Sequence, residues 1–327
     1  MNNRILFVSG FLESDGLLNN TMPFIDRQLE SLIKANIDMV PLSLKVHESK
    51  LNYFKSIPCV KDIIKNQGIS LIHAHYLYTA IPCIFHKKVP VIISLMGTDV
   101  LGDVGSTFKI RLKNIFSKFL APILLPKCDA VIVKSKEMKK FVCHHNVHVI
   151  PNGVDFNKFK PMDITQARKN LHIKSDSHII LFAGDPDRPR KNYKLALQVY
   201  KKVRKKYHDV SLIPLKNIPH DDVPLYLSVS SCLLLTSFNE GSPNIVKESL
   251  ACNTPVVSVD VGDVAERIQG LDMCAVCDFD ASLLAKHIAC VFDSPGRPDL
   301  REKIKDIDSM VIAEKIKNLY HSLLEKR

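Results

Sequence analysis

Apolar and polar positions alternate in blocks along the chain: short apolar runs of strand length are separated by longer stretches whose apolar residues recur at helical spacing. Repeated strand–helix units of this kind build a parallel sheet. Two series can be read. The first predicts strands near Arg4–Gly10, Asp38–Leu44, Ser70–His75, Pro90–Met96, Ala130–Lys134 and Val147–Ile150, with helices such as Pro23–Ala35 between them. The second predicts strands near His178–Gly184, Val210–Leu215, Ser231–Thr236, Pro255–Val259 and Met273–Cys277, with helices near Asn192–Tyr207 and Pro243–Ala251. Between the series, Asn157–Ser177 is charged, contains a proline, and reads as a linker with a short helix. The expected fold class is α/β, with two Rossmann-like doubly wound domains spanning 1–160 and 161–309. Such domains bind ligands beyond the carboxyl ends of their strands, so a pair in tandem is expected to face a ligand cleft.

The first candidate chemistry lies at one such strand end. Phe238-Asn239-Glu240-Gly241-Ser242-Pro243-Asn244-Ile245-Val246-Lys247-Glu248 follows the apolar run Cys232–Leu235 directly. Gly241 permits a tight turn, Ser242 can cap, and Pro243 suits the first helical position. A helix N-terminus there offers unsatisfied N–H groups and a positive dipole end to a phosphate. Glu240 stands before that terminus, and Glu248 lies roughly 7.5 Å along the axis from Pro243 at 1.5 Å per residue. Two carboxylates bracketing an anion site suit a nucleoside diphosphate sugar, although the stretch taken alone reads equally well as an ordinary capped helix. A second strand end carries Gly184-Asp185-Pro186-Asp187-Arg188-Pro189-Arg190-Lys191. Three cations at a helix start oppose the dipole unless an anion sits among them, which makes this loop a candidate phosphate clamp.

Composition narrows the class. The chain has 327 residues, 46% of them hydrophobic, and no apolar run reaches the roughly 18 residues of a membrane span. Arg4 followed by Ile5–Val8 resembles a short signal peptide, but Glu13 and Asp15 follow, and a first strand is the expectation. Cys59, Cys83, Cys232, Cys252 and Cys290 sit in apolar surroundings, as reduced buried thiols do, which points to a cytoplasmic location. Cys274 and Cys277 form a lone C-x-x-C without the second pair that a zinc site needs, and no divalent metal is implied. The net charge is +11, yet there is no Trp and no RNA-binding aromatic signature, so a phosphorylated ligand or an anionic lipid is favoured over nucleic acid. Residues 107–127 carry five cations and no acid, interleaved with Phe108, Ile110, Leu112, Ile115, Phe116, Phe119 and Leu120. The segment reads either as a helix with a solvated basic face or as a surface resting on an anionic leaflet.

With these residues in place the chain resembles the retaining glycosyltransferases of the GT-B fold, family 4. Glu240 and Glu248 match the family's E-x7-E motif, with Gly241, Ser242, Pro243, Asn244 and Ile245 after the first Glu. Lys191 matches its phosphate-binding Lys at the start of the first helix of the C-terminal domain, with Gly184 and Arg188 or Arg190 beside it. Pro151–Asp155 resembles P-N-G-V-D, Leu71–Tyr76 the strand-end histidine motif, Met96–Asp99 the H-G-x-D, Val133–Ser135 the strand-end serine, and Pro255–Glu266 the segment closing the nucleotide site. The first loop lacks the usual Gly-Gly pair, leaving Gly16 to stand near the diphosphate.

The resemblance implies a hexosyl-type, metal-independent transferase that moves a sugar from a nucleotide sugar, a UDP-sugar first, to a carbohydrate or lipid-linked acceptor in bacterial polysaccharide or glycolipid synthesis. His75, Lys191 and Glu240 would be catalytic, Glu248 would hold the ribose, no cofactor beyond the co-substrate is expected, and the stretch 310–327 would pack back on the N-terminal domain. A location on the inner face of the membrane is compatible with the basic segment 107–127. Two other classes share these motifs: a nucleotide-sugar epimerase, which acts on the donor alone, and a binding module that has lost catalysis. His73, two residues before His75, is expected to point to the opposite face as a packed core histidine. Asp221 and Asp222 are expected to cap a helix.

Overall fold

Parallel strands buried on both faces need apolar side chains at every position. The computed structural model shows that pattern in the centre of two sheets, and it describes residues 3–10, 23–46, 48–86, 88–102, 108–174 and 177–326, without the side chains of 108–113 and 116. Six strands form the first sheet: β1 (Arg4–Ser9), β2 (Asp38–Ser43), β3 (Ile69–His75), β4 (Val91–Ser94), β5 (Ala130–Val133) and β6 (Val147–Val149). Five form the second: β7 (His178–Phe182), β8 (Val210–Pro214), β9 (Cys232–Leu235), β10 (Val256–Val259) and β11 (Ala275–Cys277). Every neighbouring pair is parallel. The central strands β4, β5, β9 and β10 are buried throughout, whereas the edge strands β2 and β11 are only half-buried.

The strand orders are β2-β1-β3-β4-β5-β6 and β11-β10-β9-β7-β8. Each sheet therefore reverses its winding once, between β1 and β3 in the first and between β7 and β9 in the second. The crevice beyond the carboxyl ends of those two strands is where a doubly wound sheet accepts a ligand.

The chain divides into Met1–Gly153 with Ser309–Arg327, and Val154–Asp308. The division thus falls before residue 160, because Val154, Phe156 and Phe159 are buried in the second core and the Val154 amide donates to the Ile307 carbonyl. The helix Ser309–Leu324 belongs to the first unit. It buries Ile312, Ala313, Ile316, Leu319, Tyr320 and Leu323 against a core that includes Phe7, Leu71, Ile92 and Ile132. Burial of an Ile or Leu side chain contributes about 1.5–3 kcal/mol. All nine cysteines are free, but Cys59 and Cys290 are exposed rather than buried, because their helices Ile57–Asn66 and Ala281–Asp293 turn them outward. No helix among the described residues is long and apolar enough to cross a membrane.

Candidate functional site

In the second unit the site is built at the switch point between β7 and β9. Phe182 ends β7, and the chain runs through Gly184 into a 3-10 turn, Pro189–Lys191. Asn192, at φ 51°, breaks that turn from the helix Tyr193–Val203. Lys191 accordingly lies in a short turn before the helix and not in the helix's own first turn. Gly184 has φ +149°, and a Cβ there would come within 2.8 Å of Lys191 Cε, so only glycine lets the lysine stem lie across this backbone. The turn is laced to the loop after β9: the Thr236 hydroxyl donates to the Lys191 carbonyl at 3.0 Å and the Phe238 amide to the Arg190 carbonyl at 2.9 Å.

This lacing brings three charges together. Lys191 Nζ donates to Glu240 Oε1 at 2.8 Å, and Arg190 Nη1 lies 2.7 Å from Glu240 Oε2. The side chains of Arg190, Lys191 and Glu240 are only 19%, 13% and 10% exposed. Burial alone would raise the Glu240 carboxyl, but Lys191 and Arg190 outweigh it and hold it below the usual carboxylate range. Burial also lowers the Lys191 ammonium; Glu240 opposes that shift, and Arg190 and Arg188 add to it. Of the two candidate arginines, Arg190 reaches Glu240, while Arg188 is exposed.

The helix Asn244–Ala251 starts immediately after this cluster. Pro243 occupies its N-cap position, not the first helical turn, and no side chain caps it. Ser242 is engaged elsewhere: its hydroxyl lies 2.8 Å from Asp263 Oδ2 and accepts from Lys247 Nζ at 3.1 Å. Gly262, at φ +61°, passes under the turn so closely that a Cβ would come within 2.8 Å of the Gly241 carbonyl oxygen. Gly241, Ser242, Pro243, Asn244 and Ile245 thus form a braced turn opening onto a helix N-terminus, an arrangement suited to an anion. Glu248, further along the helix, is 5% exposed and faces His220, with Nε2 and Oε1 3.5 Å apart. Sequence reasoning missed His220 and Lys158, and it gave Lys247 and Asp263 no role of their own although both lie in stretches it singled out. Asp221 pairs with Lys158 and Asp222 makes no side-chain cap, so neither has the capping role expected of it, and the lysine's charge is the reason for the first.

In the first unit, His75 ends β3 beside the switch point between β1 and β3. His73 shares its face, contrary to the expectation of opposite faces, because residues two apart on a strand point the same way. The two rings lie 4.3 Å apart and both are fully buried. His73 Nδ1 is 2.6 Å from the Tyr320 hydroxyl, and its Nε2 is 2.8 Å from that of Ser94. His75 Nδ1 faces the Val8 carbonyl at 3.4 Å, and Nε2 faces the Gln28 side-chain oxygen at 3.0 Å. A neutral imidazole has a single N–H, and the buried Gln28 Nε2 has no other partner. Both contacts are satisfied if Nδ1–H donates to Val8 and Gln28 turns its amide nitrogen toward His75. Burial, then the charge of Lys134, pushes His75 down to about 3. Tyr76, directly after it, has φ 73°, a conformation that costs a non-glycine residue about 1–3 kcal/mol and persists where the surroundings impose it. Asp99 accepts from the Met96 and Gly97 amides at 2.9 Å and the Leu77 amide at 3.2 Å, so it shapes this rim. Gly16 lies outside the described residues.

Residues 24–158 match the family described as Glycosyltransferase Family 4, and residues 213–294 match Glycosyl transferases group 1. A segment in each unit thus matches a glycosyltransferase family model, the first that of family 4 and the second that of group 1. A Bacillus subtilis (strain 168) protein that carries the name teichuronic acid biosynthesis glycosyltransferase TuaC is 26% identical over 223 residues, 60% of this chain and 54% of its own length. The glycosyltransferase MJ1178 of Methanocaldococcus jannaschii is 25% identical over 273 residues, 76% of this chain and 68% of its own. The chain therefore spans about half the length of the first relative. Among solved structures, sucrose-phosphate synthase from Thermosynechococcus elongatus superimposes with a TM-score of 0.81 at 16% identity, covering 99% of this chain and 100% of that one. Anabaena Alr3699/HepE, solved with UDP and glucose, gives 0.68 at 15% identity, covering 98% and 100%. The fold is GT-B.

Proposed function

We propose that the chain is a retaining, metal-independent glycosyltransferase that moves a hexosyl group from a UDP-sugar to a carbohydrate or lipid-linked acceptor. The observation that carries this reading is Glu240 held between Arg190 and Lys191 at the β7/β9 switch point, beside an uncapped helix N-terminus. A leaving diphosphate develops charge on its β-phosphate; Arg190, Lys191 and the N–H groups near Asn244 would stabilise it without a divalent ion. As the diphosphate draws the two cations, Glu240 is released to accept from donor-sugar hydroxyls. Glu248 holds the ribose. His75 takes the role toward the donor sugar that the family resemblance implies as a neutral hydrogen-bonding ring rather than as a base, since burial pushes it down to about 3. The UDP and glucose named for the Anabaena neighbour support the choice of base.

On this reading the acceptor is met at an anionic membrane surface on the cytoplasmic face. Ile115, Phe119 and Ile123 recur at four-residue spacing on the helix Phe108–Leu124 and are 58%, 74% and 51% exposed. Lys118 and Lys127 are exposed on the same segment. Apolar residues at a surface beside cations fit the interface of an anionic leaflet. The cations at 109, 111 and 113 precede that stripe in sequence; their side chains lie outside the described ones. Incubation with UDP-, GDP- and ADP-sugars, scoring slow hydrolysis by mass spectrometry, tests the central reading. Hydrolysis of a UDP-sugar supports it; inertness toward all three classes, with and without membrane extract as acceptor source, overturns it.

A further inference from the structure

Glu248 is a buried carboxylate on the helix that carries the proposed anion site, and a buried carboxylate needs donors aimed at it. One residue facing it is His220, from the loop after β8. Two consecutive residues of the segment after Gly153 fix that imidazole. Phe159, fully buried, meets the ring edge-on with centroids 5.4 Å apart and planes at 74°. Lys158 Nζ lies 2.9 Å from His220 Nδ1 and also pairs with Asp221. An ammonium only donates, so Nδ1 must accept and carries no proton. The ring's single proton therefore sits on Nε2, the nitrogen 3.5 Å from Glu248 Oε1.

We propose that His220 is a positioning residue for nucleotide binding: its Nε2–H orients Glu248 toward the ribose, and Lys158 sets the tautomer that makes this possible. The proposal rests on the nucleotide-sugar reading and adds to it a chain from Asp221 through Lys158 and His220 to Glu248. His220 touches no substrate. It acts on affinity through one carboxylate, so its effect must vanish when that carboxylate is absent.

The test is calorimetric binding of UDP, GDP and ADP to the full chain, with thermal unfolding recorded in parallel. For the nucleotide that wild type binds, His220→Ala is expected to weaken affinity about tenfold, the order for one hydrogen bond to a charged group. His220→Gln, which retains an N–H able to reach Glu248, is expected to stay within about threefold, and Lys158→Met to weaken binding about as much as His220→Ala. In a Glu248→Ala background, His220→Ala is expected to change affinity by less than about twofold, since the two residues act as one unit. His220→Asn, polar but too short to reach, replaces the alanine variant should that fail to fold. Equal losses in both backgrounds, or no loss on His220→Ala or His220→Asn, would overturn the proposal. If wild type bound none of the three nucleotides, the site reading itself would fail and take this proposal with it; weak but additive variants would sink the proposal alone.

Discussion

Lys191 and Glu240 stand 49 positions apart in sequence, yet Nζ and Oε1 meet at 2.8 Å, because β7 and β9 are neighbours in the sheet and each sends its outgoing loop to the same crevice. A preorganised cation at that place does most for a developing anion. Lys191→Ala is expected to lower turnover at least about a hundredfold with the fold retained, since Arg190 still pairs with Glu240. Steady-state kinetics with a measured melting temperature checks this; an unchanged rate would remove the clamp.

Glu248 contacts the ribose equally in ground and transition state on the proposed reading. Glu248→Ala is therefore expected to raise the donor KM with a smaller change in kcat. A fixed KM with a collapsed kcat would exchange the roles of Glu240 and Glu248.

His73 and His75 are neutral when folded, for burial lowers both, and His75 reaches only about 3 against 6.5 when exposed. Between those values the unfolded chain binds protons that the folded chain refuses. The stabilising effect of the neutral His75 is thus complete above about pH 6.5 and is lost progressively as pH falls toward 3, with a slope of about 1.4 kcal/mol per pH unit, and His73 adds to it in the same direction. Urea midpoints measured from pH 7 to pH 5 should fall, and His75→Gln should flatten the decline. A midpoint constant over that range would contradict the buried neutral pair.

Charge stabilisation by Arg190 and Lys191 predicts undiminished activity in excess EDTA. Complete loss that magnesium restores would show that an ion supplies the charge instead.

For the helix Phe108–Leu124, co-sedimentation with anionic vesicles is expected to exceed that with neutral ones and to fall at high salt. Changing Lys109, Arg111, Lys113 and Lys118 together to Gln should abolish the preference, and Phe119→Ser should weaken binding to both vesicle types. Equal binding to both compositions by wild type would mean that the basic segment is merely solvated.

The strands were legible because a central parallel strand has no polar face, so runs such as Ala130–Val133 and Cys232–Leu235 announce themselves without an alignment. The E-x7-E spacing and the Lys191 loop were legible for the same topological reason, each following such a run. Side-chain partners were not. Ser242 looks like a cap, but Asp263 and Lys247 compete for its hydroxyl from positions no local pattern links to it. His220 sits in a polar loop without periodicity, and its meeting with Lys158 depends on long-range packing.

The second unit is inserted within the first, between Gly153 and Ser309, and this gives the molecule an order of maturation. The ribosome delivers β1 to β6 early, but Tyr320, whose hydroxyl satisfies His73, emerges 247 residues after that histidine. The inserted unit has its described strands by Cys277 and the last of its core residues by Ile307, so it can close its core before the helix Ser309–Leu324 is made. The first unit must wait, with its apolar face uncovered, for the helix Ser309–Leu324. Nascent chains are therefore most exposed to chaperones and proteases through the half made first, and a premature stop after residue 308 would cripple that half rather than the one just completed.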